Sequence, residues 1–280
     1  MTDAALALTA ELRDELEQSS SDTTRLPARF SHLKAMGRSA AHCRDAMLND
    51  YEPTLAMRLG LGTHSLLLGG PPVLLCPTKQ RKGKDYTAWL EKQTPGAIVL
   101  TSKEYDRAHR MNEAVRNNAQ AVQVLFQPGT IYENTILWEQ NGRARRSTPD
   151  ARTKRHLVDL KTARDAEPER FRWDAIRNGY NIQLADYAEA MKAEQGYPPR
   201  DVYIVAVESK RPYLCTVHRL TTGALERGAK QAATWLAQLI ECEQTGKWPG
   251  YADSILDFDV PIDPVDLVWD DESALEDSGD

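Results

Sequence analysis

Two acidic residues and a lysine that are close in the chain have the side chains needed to cleave a phosphodiester with a metal ion. Asp159 and Lys161 are two residues apart in the run 157–162, so if this run is a β-strand both side chains lie on one face at its exposed edge, while Val158 and Leu160 point into the core. Asp150 comes nine positions before Asp159, and a hairpin would return it beside them. Carboxylate oxygens are preferred ligands of Mg²⁺ and Mn²⁺. Such a metal acidifies a bound water, and the lysine can orient that water or stabilise the developing charge.

Taken alone, an Asp-x-Lys tripeptide is weak evidence, because many solvated strand faces carry one acid and one lysine. Further residues strengthen the interpretation. Gln183 and Tyr187 are four apart on a predicted helix, so they share one face and can reach the same site. The alternative is an ordinary surface glutamine with a half-buried tyrosine.

A histidine on an otherwise apolar predicted helix is a further candidate. His64 becomes a third metal ligand if it faces Asp150 and Asp159. Otherwise it is a core histidine with its hydrogen bonds satisfied. Glu133, on a predicted strand, is an additional candidate that would act through a water.

Helices and strands follow one another in an order that indicates how these residues are positioned. The long helix predicted from Thr101 starts with a capping box completed by Glu104. The predicted elements, in chain order, are helices over 29–48, 57–68 and 101–125, strands over 131–139, 143–150 and 156–161, a helix over 168–193, strands over 202–207 and 213–218, and a last helix over 225–239. This order predicts an α/β (mixed α+β) fold whose central mixed sheet is flanked by helices.

The composition excludes several classes of protein. The chain has 280 residues, of which 41% are hydrophobic and 27% charged, as in globular proteins in general. No apolar run approaches the ~20 residues of a membrane span, and the first residues lack the pattern of a secretory signal. The four cysteines are far apart, which disfavours a zinc ribbon or an iron–sulfur cluster. We therefore expect a cytoplasmic protein.

Charge is distributed unevenly along the chain. The formal net charge is -6, but residues 251–280 hold eleven acids and no lysine or arginine, which leaves 30 acids against 35 bases in the preceding 250 residues. A mildly basic body is compatible with nucleic acid, since the local field governs association. We expect a flexible or helical extension over 1–25, one domain over 26–260 and an acidic tail over 261–280.

Basic residues are clustered around Pro149 and Asp150, and a smaller basic group precedes the helix predicted from Thr101. Clusters of this kind bind phosphates without reading sequence; the alternative is a solvated turn rich in arginine. The candidate DNA-binding residues are Arg143, Arg145, Arg146, Arg152, Lys154, Arg155, Arg81 and Lys82.

Together these motifs resemble the PD-(D/E)XK nuclease superfamily, and within it the RecE-type (exonuclease VIII-like) branch of phages and prophages. Asp150, the run 159–162 and the pair Gln183 and Tyr187 match the nuclease core. The resemblance extends over residues 29–260 and includes the segments 31–34, 38–42, 57–64, 81–84, 179–187 and 205–210. It implies a restriction-endonuclease-like core with a helical N-terminal region. Cys43 departs from the aromatic residue common at that position, and we interpret it as a packing residue.

The resemblance also implies a role for each matched residue. Lys161 would be catalytic, and Gln183 and Tyr187 would support the site or contact DNA. The metal ligands would be His64, Asp150, Asp159 and the carbonyl oxygen of Leu160.

The activity that the resemblance implies is a Mg²⁺-dependent exonuclease, also served by Mn²⁺. It would digest linear double-stranded DNA 5′ to 3′ and leave a single strand for recombination. A ring-shaped homo-oligomer, double-stranded DNA ends and a single-strand annealing protein would be its partners, with no membrane involved. The alternatives are a non-catalytic DNA-binding or assembly protein, and an endonuclease or single-strand nuclease of the same fold.

Overall fold

The computed structural model describes residues 23–49 and 52–258, which form nine α-helices and ten β-strands. Of the extension expected over 1–25, residues 1–22 lie outside the described residues and Thr23–Arg25 form a 3₁₀ turn; the tail over 261–280 also lies outside them. The helices are α1 (Phe30–Met36), α2 (Ala40–Leu48), α3 (Leu55–Leu68), α4 (Lys84–Leu90), α5 (Ser102–Asn117), α6 (Ala119–Leu125), α7 (Pro168–Asn178), α8 (Tyr180–Gln195) and α9 (Thr222–Thr245). The strands are β1 (Ala28–Arg29), β2 (Val73–Leu75), β3 (Ile98–Leu100), β4 (Ile131–Tyr132), β5 (Ile136–Gln140), β6 (Arg143–Ser147), β7 (Ala151–Arg152), β8 (His156–Ala163), β9 (Asp201–Glu208) and β10 (Cys215–Arg219).

The main sheet has five strands in the order β10-β9-β8-β7-β4. β8 and β9 are parallel, and they are joined by the crossover through α7 and α8. The other neighbours are antiparallel. The predicted mixed sheet flanked by helices is therefore confirmed, and β8 is its central strand.

The strand predicted over 131–139 is two strands in two different sheets. Glu133 has a φ of 47°, which a β-strand cannot contain. The chain therefore leaves the main sheet after β4 and forms the antiparallel hairpin of β5 and β6, to which β1 adds in parallel. The parallel pair of β2 and β3 escaped prediction because each strand has only three residues.

Both faces of β8 are covered by helices. Val158 and Leu160 pack on one side with α3, α5 and α6, and Leu157 packs on the other with α7 and α8. The predicted alternation of side chains along this strand is confirmed. However, Asp159 is only 1% exposed, so the expectation that it lies at an exposed strand edge is wrong, because α8 covers that face.

A third core joins α1 and α2 to the last helix. Leu33 and Cys43 pack there against Leu236 with no exposure, so Cys43 is a packing residue, as expected. The close approach of α9 to α8 requires a glycine at 228, where a Cβ would lie 2.4 Å from the Asn181 carbonyl oxygen.

Three predicted helices are each interrupted once, at a residue that caps the next helix. Ser39 accepts a hydrogen bond from the backbone N–H of His42, Asn118 caps α6, and Gly179 has a φ of 68° between α7 and α8. The capping box predicted at the start of α5 is confirmed. None of the helices in the described part of the chain combines the length and the apolar character needed to cross a bilayer.

Candidate active site

The hairpin of β7 and β8 brings Asp150 to the central strand. Ala151 pairs with Val158, so Asp150 comes level with Asp159. Its Oδ2 accepts a hydrogen bond of 2.6 Å from the backbone N–H of Leu160. The predicted return of Asp150 to the strand that carries Asp159 is therefore confirmed.

Helix α3 approaches the end of β8 closely and places His64 opposite Asp150. A Cβ at Gly60 would lie 3.1 Å from Oγ1 of Thr162, so a larger residue there would push the helix away. One turn later, Nδ1 of His64 lies 3.5 Å from Oδ2 of Asp150 and 3.9 Å from Oε1 of Glu133. His64 thus faces the acidic residues rather than the core.

Glu133 lies closer to His64 and Asp150 than its position on a predicted strand indicated. Its positive φ turns the chain, and its backbone N–H donates to the Asp150 carbonyl oxygen at 3.0 Å. One ligand atom each from His64, Glu133 and Asp150 lie within 4.8 Å of one another. The strand pattern gave no signal for this, because the kink at Glu133 depends on tertiary contacts.

Lys161 is held by three neighbours. Its Nζ lies 2.7 Å from Oδ2 of Asp159, donates to Oε1 of Gln183 at 3.0 Å, and lies 4.7 Å from the centre of the Tyr180 ring. Gln183 in turn donates from Nε2 to the Tyr187 hydroxyl at 3.0 Å. The two α8 residues expected to share one face therefore do so and reach Lys161, while Tyr180 was missed because its ring carries no catalytic signature.

Burial of several charges together shifts the pKa values of these groups. Burial, followed by the charge of Asp150, raises the pKa of Asp159 to about 6. Burial likewise raises the pKa of Asp150. Burial alone would lower the pKa of His64, but Asp150 and Glu133 outweigh it and raise that pKa. The pKa of Lys161 is raised against the effect of burial by the two aspartates, so Lys161 stays protonated.

The residues present fit a divalent cation. Oδ1 of Asp159 is buried with no partner among the described residues, and Oδ2 is met by the Lys161 ammonium alone. Two carboxylates and an imidazole close by add the hard oxygen and nitrogen donors that Mg²⁺ or Mn²⁺ accepts. A cation here would also offset the repulsion between Asp150 and Asp159. The carbonyl of Leu160 stays a predicted ligand.

Comparison with known proteins agrees with this geometry. Residues 29–257 match the model of a family described as a PDDEXK-like domain of unknown function (DUF3799). The chain belongs to this PDDEXK-like family. The predicted membership of the PD-(D/E)XK superfamily is therefore confirmed, and it supports a nuclease. No curated protein matches the chain.

A solved structure shares the fold of this PDDEXK-like domain, and others are similar over part of the chain. A candidate exonuclease from Eubacterium rectale gives a TM-score of 0.59 at 13% sequence identity, covering 90% of this chain and 94% of that one; at that identity the likeness shows the fold alone. A phage-related exonuclease from Haemophilus somnus 129PT gives a TM-score of 0.31 at 13% identity, over 64% of this chain and 94% of that one. An alkaline exonuclease from Laribacter hongkongensis gives 0.28 at 14% identity, over 66% and 95% respectively. These two scores are too low to carry an argument about this chain.

A cavity of about 270 Å³ opens in the PDDEXK-like domain beside Gln183 and Tyr187. Arg29 and Arg146 line it from two different elements, together with Thr148 and the first residues of α1. The cavity has two arginines in its wall and is linked to the candidate active site through Gln183, which accepts a hydrogen bond from Lys161. Of the arginines predicted to contact DNA, Arg146 is the one that lies here.

Three other arginines of that prediction are buried in ion pairs, and a DNA-contacting role does not fit them. Residues of β6 alternate in and out, so Arg143 and Arg145 point inward, and Arg152 is likewise buried. They pair with Glu243 at 2.9 Å, Asp186 at 2.7 Å and Glu194 at 2.5 Å, respectively. Such buried arginines hold elements of the PDDEXK-like fold together.

The remaining predicted cations lie away from the metal ligands. Arg81 forms an ion pair with Glu104, the capping-box residue of α5, while Lys82 is exposed. Lys154 and Arg155 are exposed in the turn before β8. That turn is six residues before Lys161, or roughly 20 Å along the strand, so these two residues do not adjoin the candidate active site as the sequence suggested.

Proposed function

We propose that this chain is a Mg²⁺-dependent exodeoxyribonuclease that digests linear double-stranded DNA from 5′ to 3′ and leaves a single strand for recombination. The observation that supports this most is the convergence of His64, Glu133 and Asp150 beside the ion pair of Asp159 and Lys161. Helix α3, the turn after β4 and the β7–β8 hairpin supply these five residues, and Gln183 links Lys161 to a cavity with arginines in its wall.

In this proposal, His64, Asp150 and Asp159 hold the metal, and Glu133 contributes directly or through a water. A divalent ion bound there supplies an acidified water and offsets negative charge on the phosphate. Lys161 remains protonated and donates to the charge that develops at the reacting phosphate. Gln183, Tyr187 and Tyr180 keep its ammonium group in place.

The cavity arginines would attract the DNA strand to the metal. Arg29 and Arg146 flank the wall next to Gln183, and guanidinium groups bind backbone phosphates without reading bases. Binding through these residues is therefore expected to be sensitive to salt and indifferent to sequence.

The direction of digestion, the double-stranded DNA ends, the ring-shaped homo-oligomer, the annealing protein and the cytoplasmic location rest on the RecE-type resemblance. A non-catalytic assembly protein is disfavoured, because a chain that has lost activity has no reason to keep Asp150 bonded to the strand that carries the Asp159–Lys161 ion pair. An endonuclease of the same fold differs in cutting circular DNA.

The experiment compares linear and closed circular duplexes incubated with Mg²⁺. We expect wild-type protein to degrade the linear duplex alone, with nucleotides released first from a labelled 5′ end.

Asp159→Asn and Lys161→Met should abolish this digestion. Because Asp159 is buried, the isosteric asparagine is used, and thermal melting verifies the fold. Lys192→Met changes an exposed lysine of α8 and should retain full activity. Cleavage of the circular duplex, or digestion by the two site variants at the wild-type rate, would overturn the proposal.

A further inference from the structure

A group of exposed cations lies at the end of the main sheet opposite the candidate active site, with an exposed tyrosine among them. Lys154 and Arg155 are in the β7–β8 turn, Arg200 precedes β9, and Arg219 ends β10. The side chains of Arg200 and Arg219 are 73% and 68% exposed, and Tyr197 is 46% exposed. These five residues are called the distal patch below.

The backbone fixes the arrangement of the distal patch. The carbonyl oxygen of Arg155 accepts hydrogen bonds from the N–H groups of Arg200, at 2.7 Å, and Asp201, at 3.2 Å. The amide of Gln195 donates both to the carbonyl oxygen of Lys154, at 3.0 Å, and to that of Tyr197, at 2.9 Å. The turn before β8 and the loop before β9 are thus joined, so the cations and the ring are held together before any ligand binds.

The distal patch has an excess of positive charge. Asp201 is the acid within it, and its carboxylate is shared among Arg200 and Arg219, at 3.7 Å each, and His156, at 3.6 Å. Contacts of that length between exposed groups neutralise little charge. Glu194 nearby is already paired with the buried Arg152. The other two cations of the patch form no ion pair with any residue that the structure describes.

We propose that the distal patch is a second nucleic-acid site, which binds single-stranded DNA with its phosphates on the four cations and a base stacked on Tyr197. Exposed cations beside an exposed aromatic ring provide the chemistry of single-strand binding, since unpaired bases offer their faces for stacking. A duplex keeps those faces inside its stack and would use the cations alone.

The position of the distal patch indicates which single strand it would hold, an assignment that rests on the proposed function. Both β8 and α8 span the distance between Lys161 and the patch. Tyr180, at one end of α8, contacts Lys161, and Gln195, at the other end, contacts Lys154. The separation of roughly 20 Å equals about six nucleotides at the 3.4 Å spacing of a strand within a duplex, and an extended single strand covers it with fewer. The patch is therefore placed to hold the strand that digestion leaves behind.

The test measures the binding of a fluorescent 20-nucleotide oligo(dT) and of a 20-base-pair duplex by fluorescence anisotropy, with EDTA present so that no cleavage occurs. The full chain is used. The double variant Arg200→Ala/Arg219→Ala is expected to weaken oligo(dT) binding at least tenfold. It should also reduce the slope of log K against log salt by about 1.4, since two phosphate contacts are lost.

The ring is tested by a matched pair of variants. Tyr197→Ala should weaken oligo(dT) binding fivefold or more and leave duplex binding unchanged, whereas Tyr197→Phe should bind as wild type because it keeps the stacking face. Arg110→Ala removes a cation of similar exposure from α5 and should change nothing.

Three outcomes would overturn the proposal: no oligo(dT) binding by wild-type protein, unchanged affinity in the double arginine variant, or equal effects of Tyr197→Ala on oligo(dT) and duplex. Because these measurements need no metal and no cleavage, they are independent of the nuclease assay. A wild-type protein that binds oligo(dT) through the patch but digests no DNA would refute the proposed function and leave the second site standing.

Discussion

Two buried pairs of a cation and an aspartate, Lys161–Asp159 and Arg145–Asp186, look alike at first. Each joins its partners at 2.7 Å. The aspartates are both 1% exposed, and the cations are 17% and 0% exposed, respectively. Both pairs also involve α8, through Gln183 in the first case and through Asp186 in the second.

The surroundings of the two cations and acids differ. Arg145 donates to the carbonyl oxygen of Ala28, to Gln140 and to Asp186, and its guanidinium lies over the ring of Trp138. Asp186 and Asp159 each keep one buried oxygen without a partner among the described residues, but Asp159 also has a second carboxylate, Asp150, nearby, which raises its pKa further. The Arg145 pair ties β6 to α8 without a ligand. At the other pair, two carboxylates, Asp159 and Asp150, share the positive charge of one lysine. This excess of negative charge distinguishes a cation-binding site from a structural ion pair.

The largest expected effect is on stability at the core pair. Arg145→Met leaves Asp186 buried without its partner, which costs about 3–5 kcal/mol of unfolding free energy. Lys161→Met at pH 5.5 should cost less than about 1 kcal/mol, since Asp159 can then take up a proton to become neutral. Urea denaturation of the two variants measures the difference. Equal losses would remove the distinction between the pairs.

The next effect is on catalysis at the site pair. Lys161→Met removes a charge-stabilising donor, so the rate of linear-duplex digestion should fall by about 10²–10³. Arg146→Ala removes one phosphate contact of the cavity and should affect binding of DNA more than turnover, most visibly at high salt. Initial rates at several salt concentrations separate the two. A Lys161→Met enzyme within tenfold of wild type would assign the catalytic role elsewhere.

Stability of the metal-free protein should depend on pH with opposite sign in the two regions. The folded-state pKa of Asp159, about 6, is above its unfolded value of 3.8. The folded state therefore holds this proton more tightly, and stability falls as pH rises from about 4 to about 6. Asp159→Asn should abolish that fall. Denaturant melts at closely spaced pH values measure it, and an unchanged profile in the variant would contradict the shift.

Titration of His32, which lies near Arg143 and Arg145, should make stability depend on pH with the opposite sign. Burial, followed by the charges of Arg29, Arg143 and Arg145, lowers its pKa from 6.5 to about 4, and its Nδ1 accepts a hydrogen bond from the Arg29 backbone at 3.3 Å. The unfolded chain takes up the proton first, so stability falls by about 3 kcal/mol as pH drops from 6.5 to about 4. His32→Gln should flatten this part of the profile, and a steeper fall in the variant would rule the interpretation out.

The smallest expected effect is on metal affinity as a function of pH. Carboxylates must lose their protons to bind a cation, so Mn²⁺ affinity should drop by about tenfold per pH unit below pH 6, where Asp159 is protonated. Calorimetric titration with Mn²⁺ between pH 5 and 7.5 measures this. Affinity that stays constant over that range would exclude Asp159 as a ligand.

Local patterns in the sequence predicted the parts of the fold that depend on neighbouring residues. The alternation along β8, the capping box of Thr101 and Glu104, and the hairpin that returns Asp150 each depend on a spacing of a few residues. Gln183 and Tyr187 also follow from helical spacing alone. These local rules are enough to bring most of the candidate site together.

Long-range contacts decided what the sequence could not. Arg143 is structural because Glu243, one hundred residues later, meets it in the core, and no local pattern separates it from an exposed arginine. The position of Glu133 depends on a backbone kink, and that of Tyr180 on the packing of α8 against β8. The basic residues near Pro149 and Asp150 are therefore of three kinds. Some form buried ion pairs, Arg146 lines the cavity, and Lys154 and Arg155 belong to the distal patch.

The most direct measurement of the central claim is anomalous X-ray diffraction from a crystal soaked in MnCl₂. We predict one strong manganese peak between the imidazole of His64 and the carboxylates of Asp150 and Asp159, and its loss in crystals of Asp159→Asn. A well-diffracting crystal with no peak among these groups, or a peak held by other residues, would contradict the assignment of the site.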